Sequence, residues 1–224
     1  MGALRTVVDR LRLRLLLRDE YESLPLRKWF STSFAVDVGL YSYGCFDRWR
    51  FPPRTRIGRY CSIAKTARIL DANHPLEALT THPYLYERRF GVVAEDRIDP
   101  EWLVIEDDVW ISHNAIISPT CKFIGRGAVI GAGAVVTHSV DRYTIVAGIP
   151  ARVLRRRFSD DVIAAIEATR WWEMDKAGLR DLVASNPDMA FRPSVTSLAR
   201  QAVLPGLRRA DDRKPAGSAP DPQH

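Results

Sequence analysis

Aliphatic side chains in the middle of the chain recur every six residues: Ile105, Ile111 and Ile117, then Ile124, Ile130 and Val136. A small or short apolar residue trails each by four: Val109, Ala115, Cys121, Ala128, Ala134 and Val140. One extra residue, assigned to Phe123, interrupts the phase. Ile57, Ile63 and Ile69 keep the same beat earlier, with Cys61 and Ala67 in the trailing places. A helix repeats near 3.6 residues and a half-buried strand every 2, so a period of six fits neither. It fits a parallel β-helix of hexapeptide repeats, each giving one short strand and one corner. A coil of this kind buries its apolar positions only against the next coil, so several must stack. Gly58, Gly125 and Gly131 follow core aliphatics, where a corner is expected to need positive φ.

The pattern changes on either side. Residues 3–22 predict a helix with Leu4, Val8, Leu11 and Leu15 on one face and Arg5, Arg12 and Asp19 elsewhere. Such a helix packs on the end of the coils or on a neighbouring subunit; a basic interfacial membrane helix is the alternative. The first repeats fall in residues 36–70, with Val38-Gly39 and Ile57-Gly58 the clearest. From Asp71 to about Glu101 the period is lost among Pro75, Pro83, Gly91 and Pro100. A long irregular insertion inside a repeat array points to function. Residues 102–149 are regular coils, and Tyr143 to Ala151 closes them. Phe158 to Trp172 predicts a helix, with Ser159 as N-cap, Asp160 and Asp161 in the first turn, and Val162, Ile163, Ala165 and Ile166 as its buried face. The expected organisation is an amphipathic helical extension over 1–35, the β-helix over 36–151 with its excursion at about 71–101, a helical region over 152–205 and a disordered tail over 206–224. The fold class expected is all-β, with flanking N- and C-terminal α-helices.

Composition narrows the picture a little. The chain has 224 residues, enough for one domain with attachments. No apolar run is long enough to span a bilayer. Met1 to Arg18 interleaves leucine with arginine and lacks the continuous apolar core of a secretory signal. Cys61 and Cys121 occupy interior repeat positions and read as small core residues, which makes the cytoplasm the expected location, with peripheral membrane contact through the N-terminal helix as a variant. A formal net charge of +6 suits an anionic ligand, a membrane surface or nucleic acid. No nucleic-acid motif is present, so no nucleic-acid partner is expected.

Three segments carry a family resemblance. Val104-Ile105-Glu106-Asp107-Asp108-Val109-Trp110-Ile111 resembles the opening of hexapeptide-repeat acyltransferases. Ala128 to Thr137 (AVIGAGAVVT) resembles their last coil, and Val146 to Arg152 (VAGIPAR) their exit. Asn73-His74 in the excursion and Arg170-Trp171-Trp172 near the end resemble the xenobiotic acetyltransferase branch, which includes chloramphenicol and streptogramin acetyltransferases and related sugar O-acetyltransferases. The resemblance covers roughly residues 36–175. It implies a left-handed parallel β-helix, a homotrimer with active sites between subunits, and acetyl-CoA as co-substrate with no metal.

Acyl transfer from a thioester to a hydroxyl needs a base for the hydroxyl proton and a donor for the oxyanion. Thiolate leaves readily, so no protein nucleophile is required, and neutral histidine suits the base at pH near 7. Of the five histidines, His224 lies in the tail, and His113 and His138 sit two places after core aliphatics and should point outward. The resemblance makes His74 the catalytic base; His82 is the competitor. Asp71, Glu77 or a backbone carbonyl would orient the ring. The resemblance also assigns donor contacts: Trp110, Ser112 and His113 near the thioester and pantetheine, Ala132 by its backbone, Thr137 and His138 near the adenine, and Arg152 and Arg155 at the phosphates. Many relatives carry glycine at the position of Ser112 and lysine at that of His138, so close backbone approach and a permanent charge are both in question.

The acceptor expected first is a sugar or polysaccharide precursor, with a small hydroxylated antibiotic as the alternative. Leu76, Leu79, Tyr84, Leu85 and Tyr86 would line either acceptor site. Two other classes share the repeat. A zinc hydratase needs histidines closely spaced on successive coils, including a pair five apart, and the residue five after His113 is Ser118. A non-catalytic trimeric scaffold needs no site at all.

Overall fold

In the computed structural model, residue 9, residues 11–98 and residues 101–201 are described, residues 200 and 201 by backbone only. The repeat folds as a parallel β-helix whose coils build three flat sheets. The first sheet stacks β1 (Val36–Val38), β2 (Thr55–Ile57), β5 (Leu103–Ile105) and β8 (Phe123–Ile124). The second stacks β4 (Arg68–Ile69), β7 (Ile116–Ile117) and β10 (Val135–Val136). The third stacks β3 (Ser62–Ile63), β6 (Trp110–Ile111), β9 (Val129–Ile130), β11 (Thr144–Gly148) and β12 (Ala151–Arg156). All neighbours are parallel except β11 and β12, which form an antiparallel hairpin.

The period-six residues are the core. Every aliphatic and every trailing residue from Ile57 to Ile69 and from Ile105 to Val140 is buried. Like stacks on like: Ile57 over Ile105 over Ile124, and Ile63 over Ile111 over Ile130. Burying one such side chain stabilises by about 1.5–3 kcal/mol, which is why the array needs its neighbours. Phe123 is not the inserted residue, since it pairs with Val104 inside β8. The longer corner at 118–122 absorbs the extra position, so register is kept on every face.

The glycines after the aliphatics do not adopt positive φ. They are needed because the next coil passes too close for a side chain: a Cβ at Gly58 would lie 2.6 Å from Asp107 N, and one at Gly125 2.4 Å from Arg142 N. Left-handed backbone falls two residues later instead, at Tyr60, Asp108, Asn114, Gly127, Gly133 and Tyr143.

One corner is stapled by the acidic triplet. Glu106 accepts hydrogen bonds from Arg126 N at 2.8 Å and from Arg142 Nε at 2.6 Å. Asp107 accepts from Arg59 N at 2.8 Å and Arg126 Nε at 3.1 Å, and Asp108 from Arg157 Nη1 at 2.8 Å. Burial pushes both Glu106 and Asp108 carboxyls upward. For Glu106 the bonds from Arg142 and Arg126 overcome burial and hold it below its ordinary value, whereas for Asp108 burial outweighs Arg157.

At the N-terminus, residues 11–16 are helical and Leu17–Asp19 form a 3₁₀ turn. The expected helix does not run on to residue 22; a second one, α1 (Leu24–Phe34), starts at the Ser23 cap with Pro25 in its first turn. The buried face also differs. Leu13, Leu16 and Leu17 pack on the core, while Leu11 and Leu15 are 55% and 60% exposed. The run LRLRLLL puts leucine on two sides of the helix, and docking selects one of them. Leu4 and Val8 lie outside the described residues. From α1, Leu26 and Phe30 enter the core, and buried Arg27 donates to the carbonyls of Glu20, Tyr21, Ser23, Gly39 and Ser42.

Residues 158–201 form a separate helical unit: α2 (Asp160–Thr169), α3 (Lys176–Ser185), α4 (Pro187–Phe191) and α5 (Val195–Gln201). Its core holds Ile163, Ile166, Trp172, Met174, Leu182, Met189 and Leu198. Val162 and Ala165 are only half-buried. Ser159 caps no backbone N–H; its hydroxyl hydrogen-bonds the Asp161 carboxylate. Trp171 and Trp172 lie in a 3₁₀ turn after α2 rather than inside the helix. The chain is thus a parallel β-helix with substantial helix, not an all-β protein. The helical part begins after the strand at 151–156, because that strand pairs with β11. The expected tail at 206–224 lies outside the described residues. No described helix is long and apolar enough to cross a membrane.

Candidate active site

The chain leaves the coils after β4 and returns at β5, and His74 lies on that excursion. Its Nδ1 is 2.6 Å from the Thr81 carbonyl oxygen. A carbonyl only accepts, so Nδ1 carries the hydrogen, and the neutral ring keeps its lone pair on Nε2. The Tyr86 hydroxyl lies 2.9 Å from the same Nδ1, and the Tyr86 ring meets the imidazole edge to face, centroids 5.5 Å apart. Neither carboxylate considered from sequence orients the ring. Asp71 feels Arg54 instead, with partial burial raising its carboxyl, and Glu77 makes no hydrogen bond to the imidazole. His74 is exposed, so its free edge can receive a substrate.

His82 is built differently. Its Nδ1 accepts from Tyr84 N at 3.4 Å at the start of the Pro83–Leu85 turn. Nε2 of the neutral ring therefore carries the hydrogen and has no lone pair to offer. His82 is a capping residue.

The residues assigned to the donor fall in two places. Trp110 is half-exposed on the outer face of the third sheet, between Ser62 and Val129. At the corner that follows, His113 is exposed and Gly133 N bonds its carbonyl, which brings the neighbouring Ala132 alongside one coil further on. Thr66 lies 3.0 Å from His113 Nδ1 and accepts from Asn114 N, a contact invisible in the sequence. Arg152 and Arg155 are exposed on β12 at the edge of the same sheet. Thr137 and His138 sit at a different corner, the one from which the excursion departs, with Thr137 Oγ1 2.9 Å from His138 Nδ1. Ser112, at the start of the corner, is mostly buried, and its backbone N–H is bonded to the Ile130 carbonyl.

The three cysteines are reduced and buried. Burial raises the Cys61 thiol to about 12 and that of Cys121 to about 11, so neither is a nucleophile at neutral pH. The described residues therefore present a neutral imidazole with an open Nε2, exposed arginines and no activated thiol.

No family model matches the chain. Individual relatives do. A chloramphenicol acetyltransferase of Agrobacterium fabrum is 36% identical over 149 residues, covering 62% of this chain and 71% of that protein. One from Klebsiella aerogenes is 34% identical over 176 residues, covering 67% and 83%. A probable macrolide acetyltransferase of Lysinibacillus sphaericus is 37% identical over 126 residues, covering 52% and 67%. With the coils stacked in register and a histidine presented on their excursion, these identities over most of each relative's length mean that the chain belongs to the hexapeptide-repeat acetyltransferases, in the branch that holds the chloramphenicol acetyltransferases.

Proposed function

We propose that the chain is an acetyl-CoA-dependent O-acetyltransferase whose acceptor is a hydroxylated xenobiotic of the chloramphenicol or macrolide type, with His74 as general base. The observation that carries the chemistry is the Thr81 carbonyl on Nδ1, which leaves Nε2 able to take a proton. The acceptor hydroxyl gives that proton to Nε2 as its oxygen attacks the thioester carbon. The tetrahedral intermediate then collapses, the C–S bond breaks, and the imidazolium returns the proton to the departing thiolate. The products are an acetyl ester and free CoA thiol.

The sequence alone leaned toward a sugar acceptor. The relatives favour the antibiotic instead, since their names specify chloramphenicol and macrolides. The apolar side chains exposed on the excursion, Leu76, Leu79 and Tyr84, agree with an acceptor less polar than a saccharide. For the donor, Arg152 and Arg155 would meet the phosphates as exposed forks. Trp110, Ser112, His113, Ala132, Thr137 and His138 would line the arm. A left-handed coil and a homotrimer complete the reading: the corner of Trp110 and His113 on one chain would face the excursion of the next, which supplies His74.

The test is thiol release from acetyl-CoA with chloramphenicol, a macrolide, a streptogramin and a panel of saccharides as acceptors. Acetylation of an antibiotic is expected, and turnover in His74→Ala should fall by about 10²–10⁴-fold with the fold intact. Near-normal turnover in that variant removes His74 as base. Acetylation of saccharides alone removes the xenobiotic acceptor.

A further inference from the structure

The excursion from 71 to 98 is almost entirely at the surface. Leu79 is 98% exposed and Leu76 82%, yet Tyr86 is 8% exposed and is its one buried side chain among the described residues. Its backbone is held as well: Tyr86 N donates to Pro83 O at 3.1 Å and Arg97 N donates to Tyr86 O at 2.9 Å. From this fixed position the hydroxyl reaches His74 Nδ1 at 2.9 Å, and the ring meets the imidazole at an interplanar angle of 88°. From the sequence, Tyr86 counted only as one apolar lining residue among five.

We propose that Tyr86 is the positioning residue of the catalytic imidazole: its hydroxyl shares the Nδ1 hydrogen with the Thr81 carbonyl, and its ring edge stops the imidazole from turning over. The inference rests on His74 being the base. The Nδ1 hydrogen is shared by two oxygens, because the carbonyl at 2.6 Å must accept and the hydroxyl lies within reach of the same atom. A half-turn of the ring about its Cβ–Cγ bond would put a carbon where Nδ1 now sits and forfeit both bonds. When Nε2 takes the substrate proton, the positive charge that spreads to Nδ1–H falls on two acceptors rather than one, and bonds to charged groups are the stronger kind. No charged side chain among the described residues hydrogen-bonds or ion-pairs with the ring, so these two oxygens are what respond to its charge. Tyr86 touches the base and not the reacting atoms.

The experiment compares wild type, Tyr86→Phe and His74→Ala in full kcat and KM measurements from pH 5.5 to 9, using the acceptor that wild type acetylates. Tyr86→Phe keeps the ring edge and the buried anchor and removes only the oxygen. Its kcat is expected to fall roughly 5- to 10-fold, the loss of about one shared hydrogen bond to a charged group. KM for both substrates should stay within twofold, and the acidic limb of the kcat/KM profile should move to lower pH as the imidazolium loses an acceptor. Tyr86→Ala, which also removes the anchor, should lose more activity than Tyr86→Phe. If His74→Ala is inactive while Tyr86→Phe matches wild type in kcat and pH profile, the positioning role is overturned and the base survives. If His74→Ala keeps its activity, the base assignment itself fails and the role of Tyr86 goes with it.

Discussion

Gly127 and Gly133 offer a matched pair for testing how the coils are packed. Both adopt left-handed backbone, with φ of 70° and 68°. They differ in what an added methyl would meet. At Gly133 nothing lies within 4 Å, whereas at Gly127 a Cβ would lie 2.6 Å from Cδ1 and 2.7 Å from Cε1 of Tyr143. Tyr143 is 1% exposed, and the same Cβ would lie 3.1 Å from Arg157 Nη1, itself bonded to Asp108 and to the Gly127 carbonyl. Alanine at either site pays about 1–2 kcal/mol for left-handed backbone, and regains about 0.4–1 kcal/mol by restricting the unfolded chain. Only at Gly127 does overpacking of a rigid ring add about 1–3 kcal/mol. Gly133→Ala should therefore be nearly neutral to mildly destabilising, and Gly127→Ala worse by about 1–3 kcal/mol. Denaturant unfolding at one fixed protein concentration, followed by circular dichroism, gives the two midpoints directly. Equal midpoint shifts at unchanged slope would refute the claim that Tyr143 closes this corner against side chains.

Two further outcomes follow from the electrostatics. Because the folded Glu106 carboxyl titrates below its unfolded value, its contribution is fully present above the unfolded value and is lost as pH falls through the folded one. Wild type should therefore lose stability on acidification below about pH 4.5 more steeply than Glu106→Gln, and superimposable pH–stability curves would show that the staple contributes nothing. The buried thiols, Cys61 at about 12, Cys121 at about 11 and Cys45 also raised well above its ordinary value by desolvation, should react with a disulfide reagent at pH 8 only slowly in the native protein. All three should titrate rapidly in denaturant; a fast native thiol would show that one of these positions opens.

The core was legible because a β-helix repeats its environment. When every coil presents the same interior slot, the residue that fills it must recur, and Ile105, Ile111 and Ile117 declare the slot without any structure. Positions that depend on what lies above or beside them were not legible. Gly125 reads like a turn glycine, yet it is glycine because Arg142 crosses over it. Resemblance alone places Ser112 beside the donor, and its burial at 9% exposure could not be read from its place in the hexapeptide. In the N-terminal helix two leucine stripes compete, and only docking on the first coils chose Leu13, Leu16 and Leu17 over Leu11 and Leu15.

The site divides along the same line. The break in period marked the excursion, but it holds both His74 and His82, and only the resemblance carried by Asn73-His74 put one imidazole ahead of the other. The groups that set its proton were beyond reach: an irregular loop has no period, so nothing in the spacing says that a carbonyl seven residues on and a tyrosine twelve residues on converge on Nδ1. Repetition thus let the sequence alone determine the prism and its interior, since each position is fixed by neighbours of the same kind. Tertiary structure alone decided the tautomer of His74, the stapling of the acidic corner and the face on which each donor residue lies, since these depend on contacts between segments that share no pattern.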